Sequence, residues 1–140
     1  VCIQGTREGE PCGEIYNCYL REPVLFNGAG DMVLKLDEMC NWVGAPQSTT
    51  DYRFLNREME RQYREDSARN PQVSRDNLVY SIDRIPFQHA LKAREVLVVY
   101  IKYRQNSSLQ GSVRGRITKG EVVSFRSALE LMRMVRMIQV

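Results

Sequence analysis

Residues 117–133 constrain the fold of this chain more than any other stretch. Thr118-Lys119-Gly120-Glu121 has the capping-box pattern, in which an N-cap threonine and a glutamate three residues on satisfy each other's backbone N–H groups. An apolar-periodic run comes directly after it, which predicts a helix starting at Thr118. Helical spacing puts Phe125, Ala128, Leu129, Met132, Val135 and Ile138 on one broad buried face. Lys119, Arg126 and Arg133 recur every seven residues and share the other face, with Val123 and Ser127 nearby.

The run before it reads as a second helix, to about Tyr103. Pro86 suits its first turn, where a missing N–H is no loss, and Ala90-Leu91-Lys92-Ala93-Arg94-Glu95 has high helix propensity. The continuation Val96-Leu97-Val98-Val99-Tyr100-Ile101 is β-branched and also suits a buried strand. Helix is favoured because of the residues that precede it. The alternative is an α+β fold with a hairpin at about 95–123. Between the two runs Leu109 and Val113 keep an i, i+4 spacing, while Gly111 and Gly115 weaken any helix there by about 1 kcal/mol each.

At 140 residues the chain fits one domain. Residues 1–30 read as a loop-rich extension punctuated by Gly5, Gly9, Pro11 and Gly13, with Val24-Leu25-Phe26 as a short strand or tether. Next comes a helix capped by Asp31, with Val33, Leu36, Met39, Cys40 and Val43 on its apolar stripe and Gly44 as its stop. Ser48-Thr49-Thr50 opens another, with Tyr52, Leu55, Met59 and Tyr63 aligned, ended by Asn70-Pro71. Ser74 caps a third, with Leu78, Val79 and Ile82 as its apolar positions. No internal repeat is evident. The fold class expected is mainly α: a small helical DNA-binding domain over 31–140, with a helix-turn-helix at about 88–138.

Charge separates the chain into halves. From residue 85 onward ten Lys and Arg face three Glu, giving +7; the whole chain carries +3, which leaves −4 for the first 84 residues. A basic C-terminal half suggests a polyanionic partner for that half. No stretch approaches the length of apolar run that a membrane span needs, and no signal pattern opens the chain, so a cytoplasmic location is expected. Cys2, Cys12, Cys18 and Cys40 lack a Cys-x-x-Cys pair, and a four-cysteine zinc site is weighed less than free, mostly buried thiols. His89 is read as a partly buried helix residue. With no Gly-rich phosphate loop and no clustered carboxylates at metal spacing, neither an enzyme nor a cofactor is expected.

Three stretches carry a family resemblance. The order of residues 85–133 resembles the promoter-reading helix-turn-helix of bacterial sigma factors. Leu36-Asp37-Glu38-Met39-Cys40-Asn41-Trp42-Val43 and Asp76-Asn77-Leu78-Val79-Tyr80-Ser81-Ile82-Asp83-Arg84-Ile85-Pro86 resemble the opening helix and lead-in of the phage late-gene antitermination Q proteins. The resemblance implies a factor, acting in a bacterial host, that binds duplex DNA near a late promoter and alters RNA polymerase so that it ignores terminators. Arg114, Arg116, Lys119, Val123, Arg126, Ser127 and Arg133 would then contact DNA. One alternative is a dimeric helix-turn-helix regulator, its homodimer formed through Leu131, Met134, Val135 and Ile138. Another is a non-catalytic α+β interaction protein.

Overall fold

Alternation, not helical periodicity, organises the residues after Arg94. Leu97 is buried, Val98 exposed, Val99 half-buried and Tyr100 exposed, the two-residue rhythm of a strand with one face covered. The computed structural model describes residues 1–68 and 91–139. Among them are strands β1 (Cys2–Arg7), β2 (Glu10–Ile15), β3 (Val24–Asn27), β4 (Glu95–Tyr103), β5 (Gln110–Gly115) and β6 (Val123–Phe125). Three helices accompany them: α1 (Ala29–Val43), α2 (Arg57–Ala68) and α3 (Ala128–Arg136). The strands form one antiparallel sheet in the order β3-β2-β1-β4-β5-β6.

The fold is therefore α+β rather than mainly α. The helix-turn-helix expected at about 88–138 is replaced by β4, β5, β6 and α3; the loop-rich extension expected over residues 1–30 supplies β1 and β2 as well as β3, where a short strand or tether was expected. Backbone pairing on both sides of β4 decides the matter: β1 binds one edge and β5 the other. That outweighs the helix propensity of the preceding residues, since local preference is a weak prior against tertiary context. The third predicted helix and the lead-in motif lie outside the described residues. No helix among the described residues is long and apolar enough to cross a membrane.

The topology repeats, although the sequence showed no repeat. Each half runs β-β-β-α. In each first hairpin two consecutive residues take positive φ: Glu8 (53°) and Gly9 (80°), then Asn106 (56°) and Ser107 (53°). Two such residues make a turn whose twist matches that of the strands. Both first strands carry a bulge, between Ile3 and Gly5 and between Ile101 and Tyr103. Gly13 pairs with Phe26 as Gly111 pairs with Phe125. A Cβ on Gly13 would lie 1.9 Å from the Cys2 carbonyl oxygen, and one on Gly111 would lie 1.8 Å from that of Tyr100. Matching residues in the two first hairpins are 98 apart in number, as Gly13 and Gly111 are. From Phe26 and Phe125 onward they are 99 apart, because the second connection is one residue longer. Even the helix entries match: the Asp31 carboxylate accepts the Asn27 N–H at 3.0 Å, and that of Glu130 accepts the Arg126 N–H at 2.8 Å.

Both helices that close the halves lie on the same face of the sheet and meet there. Ile3, Ile15, Phe26, Leu97, Val113 and Phe125 of the strands pack with Met32, Leu36 and Met39 of α1 and with Leu131 and Val135 of α3. Leu131 and Val135, expected at a dimer surface, are thus core residues of the single chain, 0% and 1% exposed. The helix predicted at Thr118 begins instead at Ala128. Ser127 is its N-cap and accepts the Glu130 N–H at 3.2 Å. α1 ends where expected, at Gly44 in the left-handed region. α2 starts at Arg57 rather than at Ser48, capped by the Asn56 carboxamide, which accepts the Met59 N–H at 2.9 Å. None of its residues is buried.

Candidate functional site: a cleft beside a buried arginine

The two halves diverge beyond their helices. The segment after α1 returns across it, and between that segment, α1, α2 and the β4–β5 turn lies a cleft of about 800 Å³. Val33, Leu34, Asp37 and Glu38 of α1 form one wall, two adjacent pairs spaced four residues apart and so on one side of the helix. Tyr52, Phe54 and Tyr63 form another, and Asn106, Ser107 and Ser108 the end.

Arg104 holds these pieces together. The β4 bulge makes this possible, because one extra residue shifts the alternation. Tyr103 then stays on the outer face with Tyr100, and Arg104 turns inward, 3% exposed. Its Nε donates to the Pro46 carbonyl at 2.8 Å, and its Nη1 to Asp37 Oδ1 at 3.1 Å and to Asn41 Oδ1 at 2.9 Å. Its carbonyl accepts the Thr49 N–H at 3.1 Å. One side chain at the end of β4 thus fixes α1 and the returning segment together.

Asp37 is shared further. Tyr52 donates its hydroxyl to Oδ1 at 2.5 Å, and Tyr63 donates to Oδ2 at 3.3 Å. Asn41 Nδ2 donates to the Tyr63 oxygen at 2.7 Å and to Ser67 Oγ at 3.1 Å. Tyr63 stacks at a tilt against Tyr52 and Phe54, with centroids 5.7 and 5.1 Å away. Among the described residues no buried side-chain nitrogen or oxygen lacks a partner. A network satisfied throughout is rigid, so the aromatic wall is held in place before anything binds.

Ionisation in and behind the cleft is governed by burial. Burial, then the hydrogen bond to Asp37, pushes the Tyr52 hydroxyl far above its ordinary range. Burial also raises Tyr63, although the Asn41 hydrogen bond opposes it. The Cys40 thiol behind the wall is pushed up to about 11 by burial, against the pull of Arg104. Glu38 is raised by burial against the pull of Lys35, with Asp37, Asp31 and Asp66 adding smaller pushes upward. Two protonated tyrosines and a thiol supply neither a base nor a nucleophile at neutral pH. Glu38, half-buried and without a hydrogen-bond partner among the described residues, is a carboxylate facing the cleft.

The residues predicted to read DNA do not converge. Arg114 lies on the outer face of β5, and Val123 on β6, paired with Val113. Arg116 and Lys119 sit in the β5–β6 connection, where Arg116 donates to the Arg94 carbonyl at 2.6 Å and Lys119 has φ 55°. Arg126 precedes α3 and pairs with Glu130 at 3.3 Å, Ser127 caps the helix, and Arg133 is exposed along it. They occupy both layers of the fold rather than one helix face. Cys2, Cys12, Cys18 and Cys40 are free thiols, and no group of His, Cys, Asp and Glu among the described residues is placed to hold a metal.

Neither Arg104 nor Glu38 stood out in the sequence. Alternation continued from Leu97, Val99 and Ile101 would put Arg104 on the outer face, and only the bulge between Ile101 and Tyr103 turns it inward. No protein-family model, curated protein or solved structure matches the chain. The antitermination resemblance thus rests on its motifs alone, and among the described residues β4, β5, β6 and α3 stand where it implied a helical reading head.

Proposed function

We propose that the chain is a non-catalytic binding module whose cleft takes a cationic group on an apolar stem, a guanidinium or an alkylammonium. The observation that carries this reading is the placement of the Glu38 carboxylate beside Tyr52, Phe54 and Tyr63 in a preformed cleft of about 800 Å³. Aromatic faces attract cations, and a desolvated carboxylate gains most from an opposite charge. Val33, Leu34 and Leu109 supply apolar surface for the stem. At the rim, exposed Asp51 and Arg53 offset each other, which leaves Glu38 to set the sign inside.

Calorimetric titration with agmatine and with an acetylated, amidated hexapeptide carrying one arginine tests the reading. Agmatine represents a free amine and the peptide a partner segment. Saturable one-to-one binding of either, lost in Glu38→Gln and weakened in Phe54→Ala, is expected. No binding of either probe, or binding indifferent to Glu38, would refute it.

A further inference from the structure

The sheet has a second face, opposite the helices, and its C-terminal half is open. Val98, Tyr100 and Tyr103 of β4 are 49%, 60% and 47% exposed there. Tyr100 and Tyr103 are three residues apart, which in a regular strand would put them on opposite faces. The bulge brings them to one face, since Tyr100 pairs with Ser112 and Tyr103 with Gln110, two residues along β5. Two strand residues span about 7 Å, so the two rings form a platform along one line. The Lys102 ammonium sits 5.4 Å from the centre of the Tyr103 ring, and Arg114 is exposed on the adjacent strand. Glu95 is the only carboxylate of β4, β5 and β6, and it is buried on the helix side, 6% exposed.

The other half of the molecule shows that the fold does not require this surface. At matching positions, 98 residues earlier, Tyr100, Tyr103 and Ser112 become Cys2, Gly5 and Glu14. Lys102 and Arg114 match Gln4 and Tyr16, so the same backbone carries two tyrosines and two cations in one repeat and no cation at the matching positions of the other.

We infer that the outer face of β4–β6 binds single-stranded RNA. Tyr100 and Tyr103 stack successive bases, and Lys102 and Arg114 meet the phosphates between them. Any base presents a face for stacking, so this arrangement is sequence-tolerant. Ser112 and Ser124 extend the Tyr100 row across β5 and β6. Their hydroxyls supply donors and acceptors for ribose 2′-OH groups, which single-stranded DNA lacks. A duplex keeps its bases stacked on each other and offers this platform nothing.

Fluorescence anisotropy with a labelled ten-nucleotide uridine RNA tests the inference, with the matching deoxy oligomer and a duplex RNA as further arms. The single-stranded RNA should bind, with affinity that falls steeply as salt rises. Tyr100→Ala and Tyr103→Ala should each weaken it about tenfold or more, and Arg114→Ala should lower the salt dependence. All three residues are exposed, so the circular-dichroism spectra should be unchanged. Arg126→Ala, on the other layer, should bind as the parent does. Absence of RNA binding at low salt, or binding indifferent to both tyrosines, would overturn the inference. Equal affinity for the deoxy oligomer would overturn the assignment to RNA. A self-association that Tyr100→Ala abolishes would instead identify the face as a contact between copies.

Discussion

Arg104, directly after β4, and Asp37 on α1 form a buried ion pair, 3.1 Å between Nη1 and Oδ1, at the seam where the second half of the chain meets the helix of the first. Desolvating both charges is expensive, and the pair alone does not repay it. The compensation comes from the groups around it: the Pro46 carbonyl and Asn41 for the arginine, Tyr52 and Tyr63 for the aspartate. The pair positions the walls of the cleft, which links stability to binding.

Arg104→Met should therefore destabilise the protein by about 3–5 kcal/mol, because it leaves Asp37 buried without its cation. The two tyrosine donors to Asp37 push the value toward the lower end. Adding Asp37→Asn should recover part of the loss, since the stranded charge is then gone. Urea denaturation of the parent, the two single variants and the double variant reads the coupling directly. Additive losses would show that the pair is not coupled.

Glu38 gives a pH prediction with the opposite sign from most carboxylates. Burial raises its pKa in the folded state above the unfolded value. The folded protein then holds the proton more tightly. Stability is highest below the unfolded pKa and falls as pH rises toward the folded one. Glu38→Gln cannot ionise, so its melting temperature should vary less with pH across the carboxylate range and exceed that of the parent at neutral pH. Melting temperatures at roughly half-unit pH steps across the range from acid to neutral would show it. A variant less stable than the parent at neutral pH would mean that Glu38 is held by a favourable partner.

The helix start at α3 separates two capping boxes nine residues apart. Ser127→Ala should cost about 1 kcal/mol, the typical value of an N-cap hydroxyl. Ser108→Ala should cost a comparable amount, since Ser108 Oγ accepts the Ala128 N–H at 2.8 Å and ties the β4–β5 turn to the helix. Thr118→Ala should leave α3 intact and loosen the β5–β6 connection, where the Thr118 hydroxyl both donates to and accepts from the Gly115 backbone at 3.0 Å. Amide hydrogen exchange at Leu131 and Val135 distinguishes these outcomes. Faster exchange in Thr118→Ala than in Ser127→Ala would restore the earlier helix start.

Those boxes also show what was legible. Thr118-x-x-Glu121 and Ser127-x-x-Glu130 are equivalent as local patterns, and only pairing of Val123, Ser124 and Phe125 with β5 selects the second. α1 was readable because its apolar spacing and Gly44 stop are local signals, and so was the short β3. The buried state of Phe125 was read correctly although its element was not, since either element hides that ring. β1 and β2 were missed because their glycines looked like loop punctuation. Gly9 closes a hairpin, and Gly13 admits the neighbouring backbone. The cleft was invisible in sequence because Asp37, Tyr52, Tyr63 and Arg104 come from separate parts of the chain, and their meeting is a property of topology.

Ser107 gives the sharpest test of the repeat. It occupies the second left-handed position of the β4–β5 turn, φ 53°, where Gly9 sits in the matching β1–β2 turn at φ 80°. A non-glycine residue there costs about 1–2 kcal/mol. Glycine would remove that strain but loses about 0.5–1 kcal/mol more chain entropy on folding. Ser107→Gly should therefore raise stability by up to about 1 kcal/mol. Asn106→Gly should change little, because asparagine tolerates the left-handed region. Gly9→Ser, the reverse exchange in the other half, should destabilise. Ser107 also lines the cleft, so the stabilised variant should bind the cationic probe more weakly if the strained turn serves the site. Denaturant midpoints and calorimetry on the same three variants separate the two effects. A destabilised Ser107→Gly would mean that the serine side chain holds the turn, and that the likeness to Gly9 stops at the backbone angles.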